Sequence, residues 1–367
     1  MTRPLHPGAW WAWALLLATA ATRTTNPLLL GLALGVASFV VAGRRTPRGG
    51  RAFGFFVRLG AFVLAIRLVF ETLFGSPLPG HVLVRLPSVP LPSALAGLRI
   101  GGAVTAESLV SAGYGGLQLA TLLICLGAAN SLASPRRLLR SLPGALYELG
   151  VAVTVAMSFA PQLVLAGSRV RRARRLRGKS TSGLRGWVGS ALPVLQDGLE
   201  SSIDLAAAMD SRGFGRRGPS SRTRARAASS ALLIGMLAVA AAMYGLLAAG
   251  SPALIGLPLL LGGSGIAAAA VLLGGHGVVR TKYRPDAWGA PEWLVVAAGL
   301  AAVLGMIGAG RVAPGSLHTG AYPIVAPALP WPAVVGLAMA LLPAFLSTKR
   351  PASSRRIETG ELIGAAR

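Results

Sequence analysis

Apolar runs recur along the chain at about residues 9–22, 27–42, 53–74, 104–129, 145–166, 229–249, 252–274, 291–309 and 329–347. A helix that crosses a bilayer needs roughly 20 apolar residues. Most of these runs meet that length, and the first two are short, suiting thin, tilted spans or a shallow hairpin around the small polar connector Thr22 to Asn26. Between the fifth and sixth runs the pattern changes. From Trp187 to Met209 the apolar residues Val188, Leu192, Leu195, Leu199, Ile203 and Ala206 recur at spacings of four, three, four, four and three. That period predicts an amphipathic helix rather than a span. Its polar side carries Asp197, Glu200 and Asp204, acids placed to pair with arginines of 169–177 in a neighbouring helix.

Composition agrees with an all-α, polytopic helical membrane protein that carries a cytoplasmic-side unit of amphipathic helices. The 367 residues are 53% hydrophobic and 13% charged, with a mean hydropathy of +0.62. A net charge of +25 would suggest nucleic-acid binding in a soluble chain. In a membrane chain the same excess collects in cytoplasmic loops and fixes orientation. No fold motif of a nucleic-acid binder is present, so no nucleic-acid partner is expected. Cys125, the single cysteine, lies in an apolar run, excludes an internal disulfide and reads as a lipid-facing or packing residue.

The basic clusters set the expected topology. Arg44, Arg45, Arg48 and Arg51 place the N-terminus inside, and the proline-rich stretch 75–103 is expected outside with little regular structure. Arg136, Arg137 and Arg140 are inside again. If 145–166 then crossed, seven cations from Arg169 to Lys179 would lie outside. The charge rule therefore predicts that 145–166 lies along or dips into the inner leaflet, bent at Pro161. Eight spans remain, with both termini cytoplasmic. The expected domains are a four-span region (1–133), a cytoplasmic coupling-helix unit (134–227), a membrane region of about four spans (228–348) and a cytoplasmic tail (349–367).

Within the cytoplasmic unit, Ser134-Pro135 is a sound helix start, and Pro143-Gly144 ends that short helix. The next is expected to run from about Ala145 to Arg177, apolar first and basic last, as suits a helix C-terminus. Two Arg-Gly steps stand out: Arg177-Gly178, and Arg212-Gly213 after Ser211. Glycine there can adopt the left-handed conformation that closes a helix, which would present each arginine at a helix tip. A guanidinium fork suits a carboxylate or a carbonyl-lined groove. Gly178-Lys179-Ser180 is not a phosphate loop, because the required earlier glycine is Ala173. His6, His81, His276 and His318 lack ligand spacing, so no metal is expected. Glu71 and Glu107 sit near expected external span ends, where hydration accounts for them.

Over most of residues 5–218 the chain resembles the transmembrane T component of energy-coupling factor transporters, the CbiQ-like family of vitamin and cobalt or nickel uptake. The resemblance rests on Leu5-His6-Pro7, Thr25-Asn26-Pro27, Ser134 to Leu139, Phe159-Ala160-Pro161 and, most specifically, Ala208 to Gly215; Thr281 to Pro285 is also similar. Leu176 stands where the first signature usually has alanine, and 229–274 looks like an insertion. The resemblance implies a non-catalytic scaffold in a bacterial cell membrane, with no cofactor. Its partners would be two ABC-type ATPase subunits, which hydrolyse ATP, a substrate-binding membrane S component, and the lipid bilayer. Arg177, Gly178, Ser211, Arg212 and Gly213 would dock the ATPases. Val188, Leu192, Leu195, Leu199 and Ile203 would form the coupling-helix apolar face. The alternative is a secondary transporter or channel that moves a solute through its own helices.

Overall fold

The computed structural model describes residues 5–44, 47–74, 79–87, 89–90, 99–141, 146–178, 183–214, 222–247, 255–274, 288–322 and 324–346. Most of them are helical: α1 (Pro7–Thr22), α2 (Pro27–Arg44), α3 (Pro47–Phe74), α4 (Ala106–Leu132), α5 (Pro135–Arg140), α6 (Tyr147–Leu176), α7 (Gly183–Ser211), α8 (Arg222–Leu247), α9 (Leu257–Gly274), α10 (Ala290–Val312), α11 (Trp331–Met339) and α12 (Leu342–Phe345). Seven helices among the described residues are long and apolar enough to cross a membrane: α2, α3, α4, α6, α8, α9 and α10. The protein is an all-α, multi-pass membrane protein.

The seven differ from the eight expected spans in instructive ways. Helix α1 has 16 residues, about 24 Å at 1.5 Å per residue, less than a ~30 Å hydrocarbon core. The last apolar run breaks near Ala340 into α11 and α12. Helix α6, expected to bend at Pro161 and lie in one leaflet, is assigned as one helix of 30 residues with length and composition suited to a span. Pro161 cannot donate to the Met157 carbonyl, yet the helix continues on both sides, as transmembrane helices with internal proline can.

The segment 75–103 is more regular than expected. Strand β1 (Val82–Arg85) pairs antiparallel with β4 (Ala103–Thr105), and β2 (Val89–Pro90) with β3 (Arg99–Ile100). Val82, Leu83 and Val84 favour extended backbone, and the prolines that suggested irregularity do not interrupt them. Residues 75–78, 88 and 91–98 lie outside the described set. Glu107 also departs from expectation. It is buried in the first turn of α4, where its carboxylate accepts the His81 backbone N–H at 2.9 Å and lies 3.2 Å from the His81 ring.

The chain divides into two compact units, Met1–Leu138 with Asp286–Arg367, and Leu139–Pro285. In the first, α1 packs against α10 and α4, α2 against α4, α11 and α12, and α3 against α4. Trp13 is fully buried at the centre, and its indole N–H donates to the Ala340 carbonyl at 3.2 Å. Cys125 is buried in the same core, which settles it as a packing residue. The α10–α11 crossing is backbone against backbone. A Cβ on Gly305 would sit 2.6 Å from the Pro332 carbonyl oxygen and 2.9 Å from Gly336 Cα. Gly305→Val is therefore expected to separate the helices and cost at least about 3 kcal/mol. Thermal unfolding of the detergent-solubilised protein checks this, against a near-neutral Gly31→Ala, where a Cβ meets nothing within 4 Å.

The α1–α2 connector is tied to a distant part of the same unit. Buried Asn26 donates from Nδ2 to the Ser316 and Ala328 carbonyls at 3.0 and 2.7 Å, and its Oδ1 accepts the Leu28 N–H at 3.0 Å. Thr24 Oγ1 donates to the Leu317 carbonyl at 2.7 Å. In the second unit α6 packs on α7 and α8 on α9. The latter pair meets at Gly235 and Gly263, where small residues let the backbones approach.

Candidate functional site: two helix ends and an apolar stripe

Helices α6 and α7 form an antiparallel pair. Gly167 faces Val194, Leu163 lies over Gly198, and Arg174 donates to the Gly189 carbonyl, so positions advance on α6 as they fall back on α7. Arg169 and Asp197 approach to 3.7 Å across the pair. This is one of the acid–arginine pairings that the sequence pattern anticipates. It is exposed, so it contributes little to stability.

Both helices end on an Arg-Gly step whose glycine has positive φ. At the end of α7, the Gly213 N–H donates to the Asp210 carbonyl at 2.8 Å and the Phe214 N–H to the Met209 carbonyl at 3.0 Å. Gly213 has φ +75°. This pair of bonds is a Schellman closure, which leaves Arg212 as the capping residue and Gly213 as the left-handed residue after it. A Cβ is disfavoured at that φ, which is why glycine stands there. At the end of α6, Arg177 is the cap, Gly178 follows with φ +66°, and the Gly178 N–H donates to the Arg175 carbonyl at 3.0 Å. The side chains of Arg177, Ser211 and Arg212 are exposed, and Ser211 Oγ turns back to the Ala208 carbonyl at 2.9 Å. Each arginine thus leaves a rigid helix tip, where the partial negative charge of the last carbonyls favours a cation.

The antiparallel pairing keeps the two arginines apart. Arg177 lies just past the level of Gly189, and about 35 Å of α7 at 1.5 Å per residue separate Gly189 from Arg212. Two separate contact points are therefore available, and no single site holds both side chains.

The apolar face of α7 is the other component. Val188, Leu192, Leu195, Leu199 and Ile203 are each 59 to 66% exposed and share one side of the helix. They do not pack on α6. The side of α7 that does carries Ser190, Val194 and Gly198, small or weakly apolar residues that a search for apolar periodicity passes over. Helix α7 is thus covered on one side and bare on the opposite, more hydrophobic one. A row of that length on a helix that also has a polar side suits another apolar helix or the bilayer interior.

Among the described residues no group of three or more His, Cys, Asp or Glu could hold a metal ion. Lys179 and Ser180 of the loop that imitates a phosphate site lie outside the described residues. His6 serves the start of α1, its Nδ1 accepting the Gly8 N–H at 3.1 Å and its ring lying tilted against Trp288 with centroids 5.0 Å apart. The chain matches no protein-family model and no curated protein.

Proposed function

We propose that this protein is the non-catalytic membrane scaffold of an importer of the energy-coupling factor type, transmitting the motion of two ATPase subunits to a separate substrate-binding membrane subunit. One observation carries the reading: successive antiparallel helices each end on an Arg-Gly step whose glycine has positive φ, with the arginine exposed at the tip, and one bears a bare apolar stripe. In this reading Arg177 and Arg212 each enter a groove of one ATPase on the cytoplasmic side. Because the tips lie far apart along the pair, closure of two ATPases bound to them changes the tilt of α6 against α7. The stripe from Val188 to Ile203 carries that movement to the substrate-binding subunit, whose cargo is a vitamin or a transition-metal ion.

The test is purification of the tagged full-length chain from its native membrane in mild detergent. The expected result is co-purification of a pair of nucleotide-binding ATPases and a small integral membrane protein, with uptake that depends on ATP. Solute movement by the chain reconstituted alone would instead identify a secondary transporter or channel.

A further inference from the structure

Helix α6 has a second exposed face beside and behind the one that packs on α7. Leu163, Gly167 and Arg174 point at α7, Leu165 and Arg172 lie on the opposite side, and Val164, Ser168, Arg171 and Arg175 occupy the flank between, these last six all exposed. Along this outer face the chemistry changes in a fixed order. Val164 and Leu165 are 68% and 62% exposed. Ser168 follows one turn later, and the three arginines occupy the next two turns. Arg171 is held back along the helix by a bond from its Nε to the Gly167 carbonyl at 3.3 Å, which leaves its two terminal nitrogens at the boundary with the apolar residues.

We infer that the outer face formed by Val164, Leu165, Arg171, Arg172 and Arg175 binds an anionic phospholipid, acyl chain on the two apolar residues and phosphate on the guanidinium cluster. The order of groups along α6 carries the assignment. Hydrocarbon followed by concentrated positive charge within three turns is the profile of a lipid from chain to headgroup. An acidic protein would match the arginines but leave Val164 and Leu165 uncovered. Arginine also suits phosphate in particular, since its donors can engage two oxygens together. The apolar start and basic end of α6 set this face where hydrocarbon gives way to headgroups, for a helix that dips into one leaflet as for one that crosses. The inference needs the protein to be in a membrane and does not depend on the ATPase reading. A bound anionic lipid there would fix the depth of α6 without touching its packing on α7.

The experiment uses the delipidated full-length protein in detergent, titrated with phosphatidylglycerol or with phosphatidylcholine of the same acyl chains and read by native mass spectrometry. The protein is expected to retain phosphatidylglycerol at least about tenfold more strongly. Each arginine near an anionic surface strengthens attachment about fivefold, so R171Q/R172Q/R175Q is expected to weaken phosphatidylglycerol on the order of a hundredfold and leave phosphatidylcholine unchanged. R171K/R172K/R175K, which preserves charge, is expected to stay within about tenfold of the parent chain. Glycerol phosphate, which lacks acyl chains, is expected not to displace the lipid, and V164S/L165S to weaken its binding. Unchanged phosphatidylglycerol retention by the glutamine variant would overturn the assignment. Displacement by glycerol phosphate would overturn it in favour of a free phosphate ester, and loss of an acidic protein with no change in lipid in favour of a protein surface. If the glutamine variant does not fold, the lysine variant and salt decide. Phosphatidylglycerol binding must then weaken between 0.05 and 0.5 M salt (~8-fold or more) while phosphatidylcholine does not, and equal sensitivity would overturn the inference.

Discussion

Replacing Arg177 and Arg212 together by alanine is expected to leave the protein in the membrane and strip it of the proposed ATPase partners. Both side chains are exposed at helix tips, and removing them disturbs neither the Gly178 nor the Gly213 closure, which are made by backbone groups. Folding should therefore be unchanged. An arginine anchor at a protein interface is worth about 2 kcal/mol or more, roughly thirtyfold in affinity, so two independent anchors are worth on the order of a thousandfold. Co-purification at micromolar concentration would not survive that loss. The single variants should retain part of the binding, because the two tips are well separated along α7. Uptake and pull-down at the normal level in the double variant would refute the docking reading. Gly213→Val adds a control on geometry: a β-branched residue at φ +75° is strained by at least about 1–2 kcal/mol, which redirects Arg212 without removing its charge. Loss of ATPases in this variant would show that the aim of the guanidinium matters, as well as its presence.

The second large effect is on stability. Asn26→Leu is expected to destabilise the first compact unit by about 3 kcal/mol, because it removes three hydrogen bonds made by a buried side chain, to the partly buried Ser316 and Ala328 carbonyls and from the Leu28 N–H. Leucine fills a comparable space, so the loss would report hydrogen bonds rather than a cavity. Thr25→Val is the control. Thr25 bonds to the Leu317 carbonyl at 2.9 Å through its backbone N–H, which valine keeps. Thermal unfolding should separate the two variants by many degrees, and equal midpoints would mean that water replaces the asparagine amide.

Helices α6 and α7 were legible in the sequence to within a few residues. The spacing from Val188 to Ile203 gave the expectation of α7, and an apolar stretch turning basic gave α6 nearly to its last residue. Both Arg-Gly steps could be read as helix ends because only glycine takes positive φ readily, and Gly178 and Gly213 do so. The face by which α7 meets α6 was not legible, since Ser190, Val194 and Gly198 have no apolar rhythm. Their role depends on a partner helix that comes close enough to need small residues. Glu107 was misread for a related reason. Its position near a span end suggested hydration, while its burial arises from His81, 26 residues earlier, folding over it. Charge counting also led to the expectation that α6 stays in one leaflet. The helix has 30 residues and is long and apolar enough to span, so its length and its charge point to different placements.

The ties from Asn26 to Ser316 and from Trp13 to Ala340 join positions 290 and 327 residues apart. A ribosome adding 5–20 residues per second reaches Ser316 about 15–60 s after it has made Asn26. During that interval the first two helices are already made while the carbonyls that match them do not yet exist, and the whole of Leu139–Pro285 is synthesised in between. The N-terminal helices must therefore be sheltered by the insertion machinery or by lipid until the end of translation, and a chain cut short before α10 would expose them to membrane quality control.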